Sequence, residues 1–225
     1  RINLPHHNIM TAEDPVEYNL DGINQVNVHE EIGLTFSSAL KAFLRQDPNI
    51  VMVGEIRGLE TGSIAVQAAL TGHLVLSTLH TNDAPSTINR MIDMGIEPFL
   101  VASSTNLIQA QRLMRRLCEK CKQPVEIHPE ALRELGIPNE APFQIFNPGG
   151  CPKCSNTGYK GRLGAYEVMP ISAEISEMIL NRCSSTEIKE QAVKEGMLTL
   201  RADAIVKLKA GITSIEEVLR ETSIK

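Results

Sequence analysis

The sequence has 225 residues, a net charge of −5 and a pI of about 5.7, with 42% hydrophobic and 22% charged side chains. That length supports one sizeable core and a smaller second unit, and the acidic balance argues against a nucleic-acid binder working through bulk charge. No apolar run approaches the roughly 18–20 residues of a membrane span, and the start, RINLPHHNIM, has neither an apolar signal core nor an initiator Met, which reads as part of a longer chain.

Taken in order, Asn8–Thr11 is the first strand candidate. Pro15 prevents a helix through Asp14, so Glu13, Asp14 and Glu17 sit in a turn just past that strand. Like charges this close repel unless a cation or proton donor is near. A metal- or water-binding role and a solvated acidic turn both fit. Val16–Asn19 and Ile23–Val28 flank Asp21-Gly22, a type I′ hairpin signal. Thr35 caps a helix with Phe36, Ala39, Leu40, Phe43 and Leu44 as its apolar face, and Asp47-Pro48 ends it.

Asn49–Gly58, NIVMVGEIRG, is the stretch on which the rest depends. Ile50 to Val53 is an unbroken apolar run, the pattern of a strand buried on both faces of a parallel sheet. Gly54-Glu55 then places a carboxylate at its C-terminal edge, where open α/β sheets bind ligands. Thr61 is the expected cap of a helix through Leu70, with Gly72 as its stop. His73–Leu79 is the next strand, with His80-Thr81-Asn82-Asp83 at its end. Asp83 caps a helix carrying Ile88, Met91 and Ile92, stopped by Gly95, and a longer helix is expected from about Glu97 to Leu117.

The first half therefore alternates strand and helix, which predicts a parallel sheet with right-handed crossovers. Polar residues gather at three successive strand ends: Glu13, Asp14 and Glu17; Glu55 and Arg57; His80 and Thr81. Three such clusters on one ligand-binding edge point to an active site.

Cys118-Glu-Lys-Cys121 and Cys151-Pro-Lys-Cys154 are two CxxC knuckles separated by 29 residues. Four thiolates paired in this way suit a closed tetrahedral zinc site. The gap exceeds the roughly 15–20 residues of a zinc ribbon, so the intervening segment, with a short helix at Pro129–Leu135, is expected to form a subdomain of its own. An iron–sulfur cluster and a redox dithiol are the alternatives, and neither has supporting residues. Without an apparent general base nearby, the site reads as structural. Cys183 stands alone and reads as a small core residue. Gly158–Arg162, GYKGR, reads as a basic turn. From Pro170 on the pattern is helical, with capping boxes at Ser184/Glu187 and Ser214/Glu217, and a compact bundle is expected.

TAEDPVEYN, NIVMVGEIRGLET, TGHLVLSTLHTNDA and QRLMRRLCEKC occur here in the order found in the secretion ATPase superfamily. They resemble its Asp box, atypical Walker B, His box and the approach to its cysteine motif. The paired CxxC and GYKGRLGAYEVMPIS resemble the type IV pilus-assembly and type II secretion branch, and EVMPIS with KEGMLTLRADAIVKLKAGITSIEEVL is more similar to pilus assembly. The family's P-loop, GxxxxGK[ST], is absent from the chain and would precede Arg1.

The resemblance implies a partial RecA-like ATPase core over 1–117, a tetracysteine zinc subdomain over 118–158 and a C-terminal helical domain over 159–225. It implies Glu13 as the residue that activates water, Glu55 on the Mg²⁺ side, and His80 as a sensor of the γ-phosphate, with the roles of the two glutamates open to exchange. Asp14 and Glu17 are supporting acids, Arg57 a contact to phosphate or Glu13, and His73 a second His-box residue; all four are expected on the cofactor-binding side, with a structural role the alternative for His73. It further implies ATP, Mg²⁺ and structural Zn²⁺, a homohexamer, an inner-membrane platform protein as partner, no nucleic acid, and a peripheral place at the cytoplasmic face of the bacterial inner membrane. A type II secretion ATPase, a helicase-like relative and a non-catalytic zinc docking module are the alternatives. The acidic charge and the absence of Trp and of a basic aromatic stripe weigh against the helicase.

Overall fold

The computed structural model describes residues 2–138, 141 and 143–223; the remaining residues of the predicted segments, 1, 139, 140, 142, 224 and 225, lie outside the described part. The elements begin with β1 (Ile9–Glu13), β2 (Asn24–Asn27), α1 (Phe36–Phe43), β3 (Ile50–Val53), α2 (Leu59–Leu70), β4 (Leu74–Ser77), α3 (Ala84–Asp93) and α4 (Pro98–Ser104). Then come β5 (Leu107–Leu117), β6 (Gln123–Glu126), α5 (Pro129–Leu135), β7 (Gln144–Asn147) and β8 (Tyr159–Pro170). Four helices follow: α6 (Ala173–Leu180), α7 (Ser185–Lys194), α8 (Leu200–Lys209) and α9 (Ile215–Thr222). Two compact units result: Arg1–Ile108 with Pro170–Gln191, and Gln109–Met169 with Ala192–Lys225.

The first unit is built on the parallel sheet expected from the strand–helix alternation, in the order β2-β1-β3-β4. Its centre is β3, whose Val51 and Val53 are fully buried. Val51, Val53, Ala12, Phe36, Leu40, Phe43 and Ala65 form one apolar cluster on one face of β3, and on its other face Ile50 is buried and Met52 half-buried, as its unbroken apolar run requires. α1 has the Thr35 cap foreseen from sequence: the Ser38 amide donates to Thr35 Oγ1 at 3.1 Å and Ser38 Oγ accepts from the Thr35 amide at 2.8 Å. α2 starts earlier than expected. Gly58 is its N-cap, and Thr61 lies inside the first turn.

The hairpin expected at 16–28 is not formed. β2 is present, but it pairs in parallel with β1, Thr11 opposite Gln25 and Glu13 opposite Asn27. Side chains rather than a ladder serve the backbone of the preceding segment. Asn27 Oδ1 accepts from the Val16 amide at 2.6 Å, and Gln25 Oε1 accepts from the Leu20 amide at 2.7 Å. Gly22 still adopts a positive φ of 80°, so the local turn signal is real while the pairing partner is not the adjacent segment.

The long helix expected from Glu97 to Leu117 ends at Ser104, and Leu107–Leu117 is a strand. QRLMRRL is made of good helix formers, and tertiary pairing overrides that preference. The partner is β8. The Cys118 amide donates to Gly158 O at 2.9 Å and the Ile171 amide to Asn106 O at 3.0 Å, so the two strands run antiparallel. GYKGR is correspondingly the start of β8 rather than a free turn. Gly158, with φ 76°, is required there, because a Cβ would lie 2.4 Å from Pro148 Cβ.

The second unit also holds the β6–β7 antiparallel pair and α5, which spans the predicted Pro129–Leu135. Met114, Leu132, Leu135, Leu208 and Val218 are among its buried core. Of the helices after β8, α6 and α7 up to Gln191 belong to the first unit and α8 and α9 to the second, in place of the single bundle expected. The Ser184/Glu187 capping box forms, with the carboxylate accepting from the Ser184 amide at 2.8 Å. The box at α9 is only half made. Ser214 Oγ accepts from the Glu217 amide, but the Glu217 carboxylate turns instead to Arg115.

Candidate active site and metal centre

The parallel register sets the site. Ala12 lies opposite Val53 and Val53 opposite Ser77, so β1, β3 and β4 end on one edge. Gly54 makes that edge tight: its amide donates to Ala12 O at 2.8 Å, and a Cβ would stand 3.1 Å from Phe36 Cε1 and 3.2 Å from Ala12 O. Past the strands, Thr78 Oγ1 donates to Gly54 O at 2.6 Å and the Ile56 amide donates to Thr78 O at 3.0 Å. These two bonds tie the segment that carries Glu55 to the segment that leads to His80.

Glu55 is consequently held between two side chains. Its Oε1 lies 2.5 Å from Arg57 Nη2 and its Oε2 3.1 Å from His80 Nε2. Its side chain is 15% exposed, whereas that of His80 is 89% exposed, so the histidine is displayed to solvent while the carboxylate is recessed. The hydrogen bond from Arg57 is the main cause that keeps the Glu55 carboxyl below its ordinary value; burial opposes this and His80 reinforces it. Arg57 is raised in turn, first by Glu55 and further by the charges of Glu30 and Asp14. Glu30 Oε1 is 3.8 Å away from Arg57 Nη1. The segments that carry Asp14 and Glu55 thus share one electrostatic neighbourhood.

Glu13 closes β1 beside them. Its Oε1 accepts from Thr11 Oγ1 at 2.6 Å and from Gln25 Nε2 at 3.0 Å. Asp14 and Glu17 lie beyond the strand and are exposed. His73 does not join the group. It precedes β4, at the opposite end of that strand from His80, with Nδ1 3.0 Å from Ala68 O and 3.2 Å from Thr71 Oγ1, where it closes the C-terminal end of α2.

Several participants were not visible in the sequence. Thr11 stands two positions before Glu13, hence on the same strand face, which is a weak local signal. Gln25 and Thr78 gave none. Neither did Lys189 of α7, whose Nζ lies 2.9 Å from Asp83 Oδ2. Burial pushes the Asp83 carboxyl up, but bonds from Ser86 and Lys189 outweigh it and hold the group below its ordinary value.

In the second unit the four knuckle sulfurs converge, all lying within 4.8 Å of one another. Cys118–Cys151 is 3.9 Å, and Cys121–Cys154 and Cys151–Cys154 are both 3.7 Å. These separations exclude disulfides, and all four cysteines are free. Tetrahedral zinc with bonds of about 2.3 Å requires S···S near 3.8 Å, which these three pairs meet. Cys154 Sγ also accepts from the Cys151 and Gly158 amides, each at 3.3 Å. Burial raises the Cys154 thiol, yet those amides and the neighbouring thiols bring it down to about 6, while burial and the other thiols push Cys121 up to about 12. The convergence of the four sulfurs, with two amides donating to Cys154 Sγ, suits a metal-bound thiolate cluster. Cys183 lies apart, half-buried after α6.

No helix among the described residues is long and apolar enough to cross a membrane. The family described as "Type II/IV secretion system protein" matches residues 1–220. The chain is 53% identical to a type IV pilus assembly ATPase, PilB, of Myxococcus xanthus over 96% of its own length and 39% of the relative. It is 45% identical to the type II secretion system ATPase E of Vibrio cholerae over 98% of its length and 44% of that protein. The pilus retraction motor PilT, solved with bound ADP, superposes with a TM-score of 0.67 at 26% identity, over 95% of this chain and 52% of that one. The chain therefore spans about two fifths of the length of these curated relatives.

Proposed function

Because the chain belongs to the type II/IV secretion system protein family, we propose that it carries the acid-lined edge of a motor ATPase that drives type IV pilus extension. The observation that carries this reading is the convergence of Glu55, Arg57 and His80 at the same sheet edge as Glu13. Hydrolysis of a phosphoanhydride needs a recessed anion for the metal side, a base for water and displayed cations for the phosphate. Glu55 is the recessed anion and is held ionised; its carboxylate oxygens fit Mg²⁺, a hard oxygen-seeking ion. Mg²⁺ held by Glu55 would supply positive charge against the charge that develops on the phosphates. Glu13 takes the proton of the attacking water. His80 and Arg57, both solvent-facing, meet the terminal phosphate, with Asp14 and Glu17 as supporting acids. His73 orders the α2–β4 junction instead.

The tetracysteine cluster holds structural Zn²⁺ through Cys118, Cys121, Cys151 and Cys154, which stabilises the fold of the segment between the knuckles. The whole protein works as a homohexamer on an inner-membrane platform protein, peripheral to the cytoplasmic face and without nucleic acid. Pilus assembly is favoured over type II secretion by identities of 52–53% against 45–48% to the respective relatives. Steady-state ATP hydrolysis by the full-length gene product tests this reading. We expect Mg²⁺-dependent turnover that falls about 100-fold in Glu55→Gln, in keeping with loss of a charge-stabilising group. No turnover in the parent protein, or an unchanged rate in Glu55→Gln, overturns it.

A further inference from the structure

Glu13 has two carboxylate oxygens, and the protein treats them differently. Thr11 Oγ1 and Gln25 Nε2 both donate to Oε1, at 2.6 and 3.0 Å, and no described residue bonds Oε2. The register explains the convergence. Thr11 and Glu13 share a face of β1, and Thr11 is the direct cross-strand partner of Gln25 on β2. A slip of one residue would turn Gln25 to the other face.

Both donors are themselves immobilised. Thr11 is buried and β-branched, which restricts its χ1. The Gln25 amide is oriented by its own bonds: Oε1 accepts from the Leu20 amide at 2.7 Å, and Nε2 also donates to Tyr18 O at 3.0 Å. A rotated amide would set Oε1 against the Glu13 carboxylate and the Tyr18 carbonyl, so the arrangement has one sense. Glu and Gln side chains lose rotamer freedom when ordered, and here that cost is met before any substrate arrives.

We infer that Thr11 and Gln25 are positioning residues that pin Glu13 by Oε1 and leave Oε2 as the oxygen that receives the proton. The inference rests on reading Glu13 as the base. One O–H bond of the attacking water breaks and its proton passes to Oε2. The water oxygen bonds to the γ-phosphorus, and the bond from that phosphorus to the bridging oxygen breaks. ADP leaves with the electron pair, phosphate keeps the water oxygen, and Glu13 returns its proton to solvent. Neither positioning residue touches the reacting atoms. Their contribution is geometric, and a misplacement of about 1 Å costs up to about 100-fold.

The test is a set of kcat and KM measurements for ATP on the full-length gene product, with circular-dichroism melting as a check on folding. Thr11→Val keeps the branched shape without the hydroxyl, and Gln25→Leu keeps the bulk without the amide. Each is expected to lower kcat about 10-fold with KM within about twofold, because the loss is of orientation. Thr11→Ser is expected to restore the rate. In a Glu13→Gln background neither substitution is expected to lower the rate further, since the group they position no longer acts as a base. An unchanged kcat in both variants, a rise in KM alone, or an equal loss in the Glu13→Gln background overturns the inference and leaves Glu13 as the base. A Glu13→Gln rate equal to the parent's overturns the base assignment and the inference together.

Discussion

Glu55 and Arg57 stand two residues apart, and their charged groups meet at 2.5 Å at the mouth of the central strand. The bond sets the protonation of the carboxyl. In Arg57→Ala, Glu55 is expected to titrate at a higher pH, back toward its ordinary 4.5. The sign follows from the depressed value. Glu55 stays ionised as pH falls to that value in the parent and is protonated earlier in the variant. Carboxyl ¹³C shifts followed through an acid titration report it directly. The acid limb of ATP turnover moves to higher pH in step. A titration of Glu55 unmoved by the substitution would show that Arg57 does not govern the site.

The sulfur cluster makes a separate prediction. Cys118, Cys121, Cys151 and Cys154 have the spacing that tetrahedral zinc requires. Elemental analysis of protein purified without chelator is expected to return one zinc per chain. Cys118→Ser is expected to lower that content, and the thermal stability of the second unit with it, because metal binding and folding are one equilibrium in such sites. Metal-free protein with the same melting temperature would remove zinc from the account.

A third prediction concerns Glu217, which is fully buried. It accepts from the Arg115 amide at 2.8 Å and from its guanidinium at 2.9 and 2.6 Å. Burial raises this carboxyl, but the bonds from Arg115 and the charge of Arg220 outweigh it and keep it below 4.5. A depressed carboxyl contributes stability that is complete above its unfolded value and is lost as pH falls through the folded one. Denaturant stability is therefore expected to be level above about pH 5.5 and to decline below the ordinary Glu range, near 4.3. Glu217→Ala is expected to cost about 1–3 kcal/mol at neutral pH, because it leaves the Arg115 amide and the partly exposed guanidinium groups of Arg115 and Arg220 without their partner. A loss below about 1 kcal/mol, the worth of a surface pair, would mean that the cluster contributes little.

These relationships also mark how far the sequence could be read. β3 was legible because burial on both faces demands an unbroken apolar run, and the caps at Thr35, Asp83 and Ser184 were legible because their partners lie three residues away. The cysteines were legible because metal chemistry fixes their spacing. What failed depended on distant partners. Leu107–Leu117 has helix-forming residues and becomes a strand only because β8 lies alongside it. The 16–28 segment carries a true turn at Gly22, yet β2 pairs with β1. Glu217 was read as a capping residue, and its carboxylate is claimed by Arg115, 102 positions earlier. At the site, the acids and His80 announced themselves by type at strand ends. Gln25 and Lys189 did not, since nothing local distinguishes them from ordinary surface polar residues.

The central claim is that Glu13, at the end of β1, moves the proton in ATP hydrolysis. Its most direct test is kcat for ATP in the full-length gene product carrying Glu13→Gln, measured beside equilibrium binding of a fluorescent ATP analogue. The account predicts a fall of about 100-fold or more, the usual worth of a positioned base, with binding within about twofold because the variant keeps the shape of the side chain. Turnover at the parent's rate, with binding intact, would contradict it.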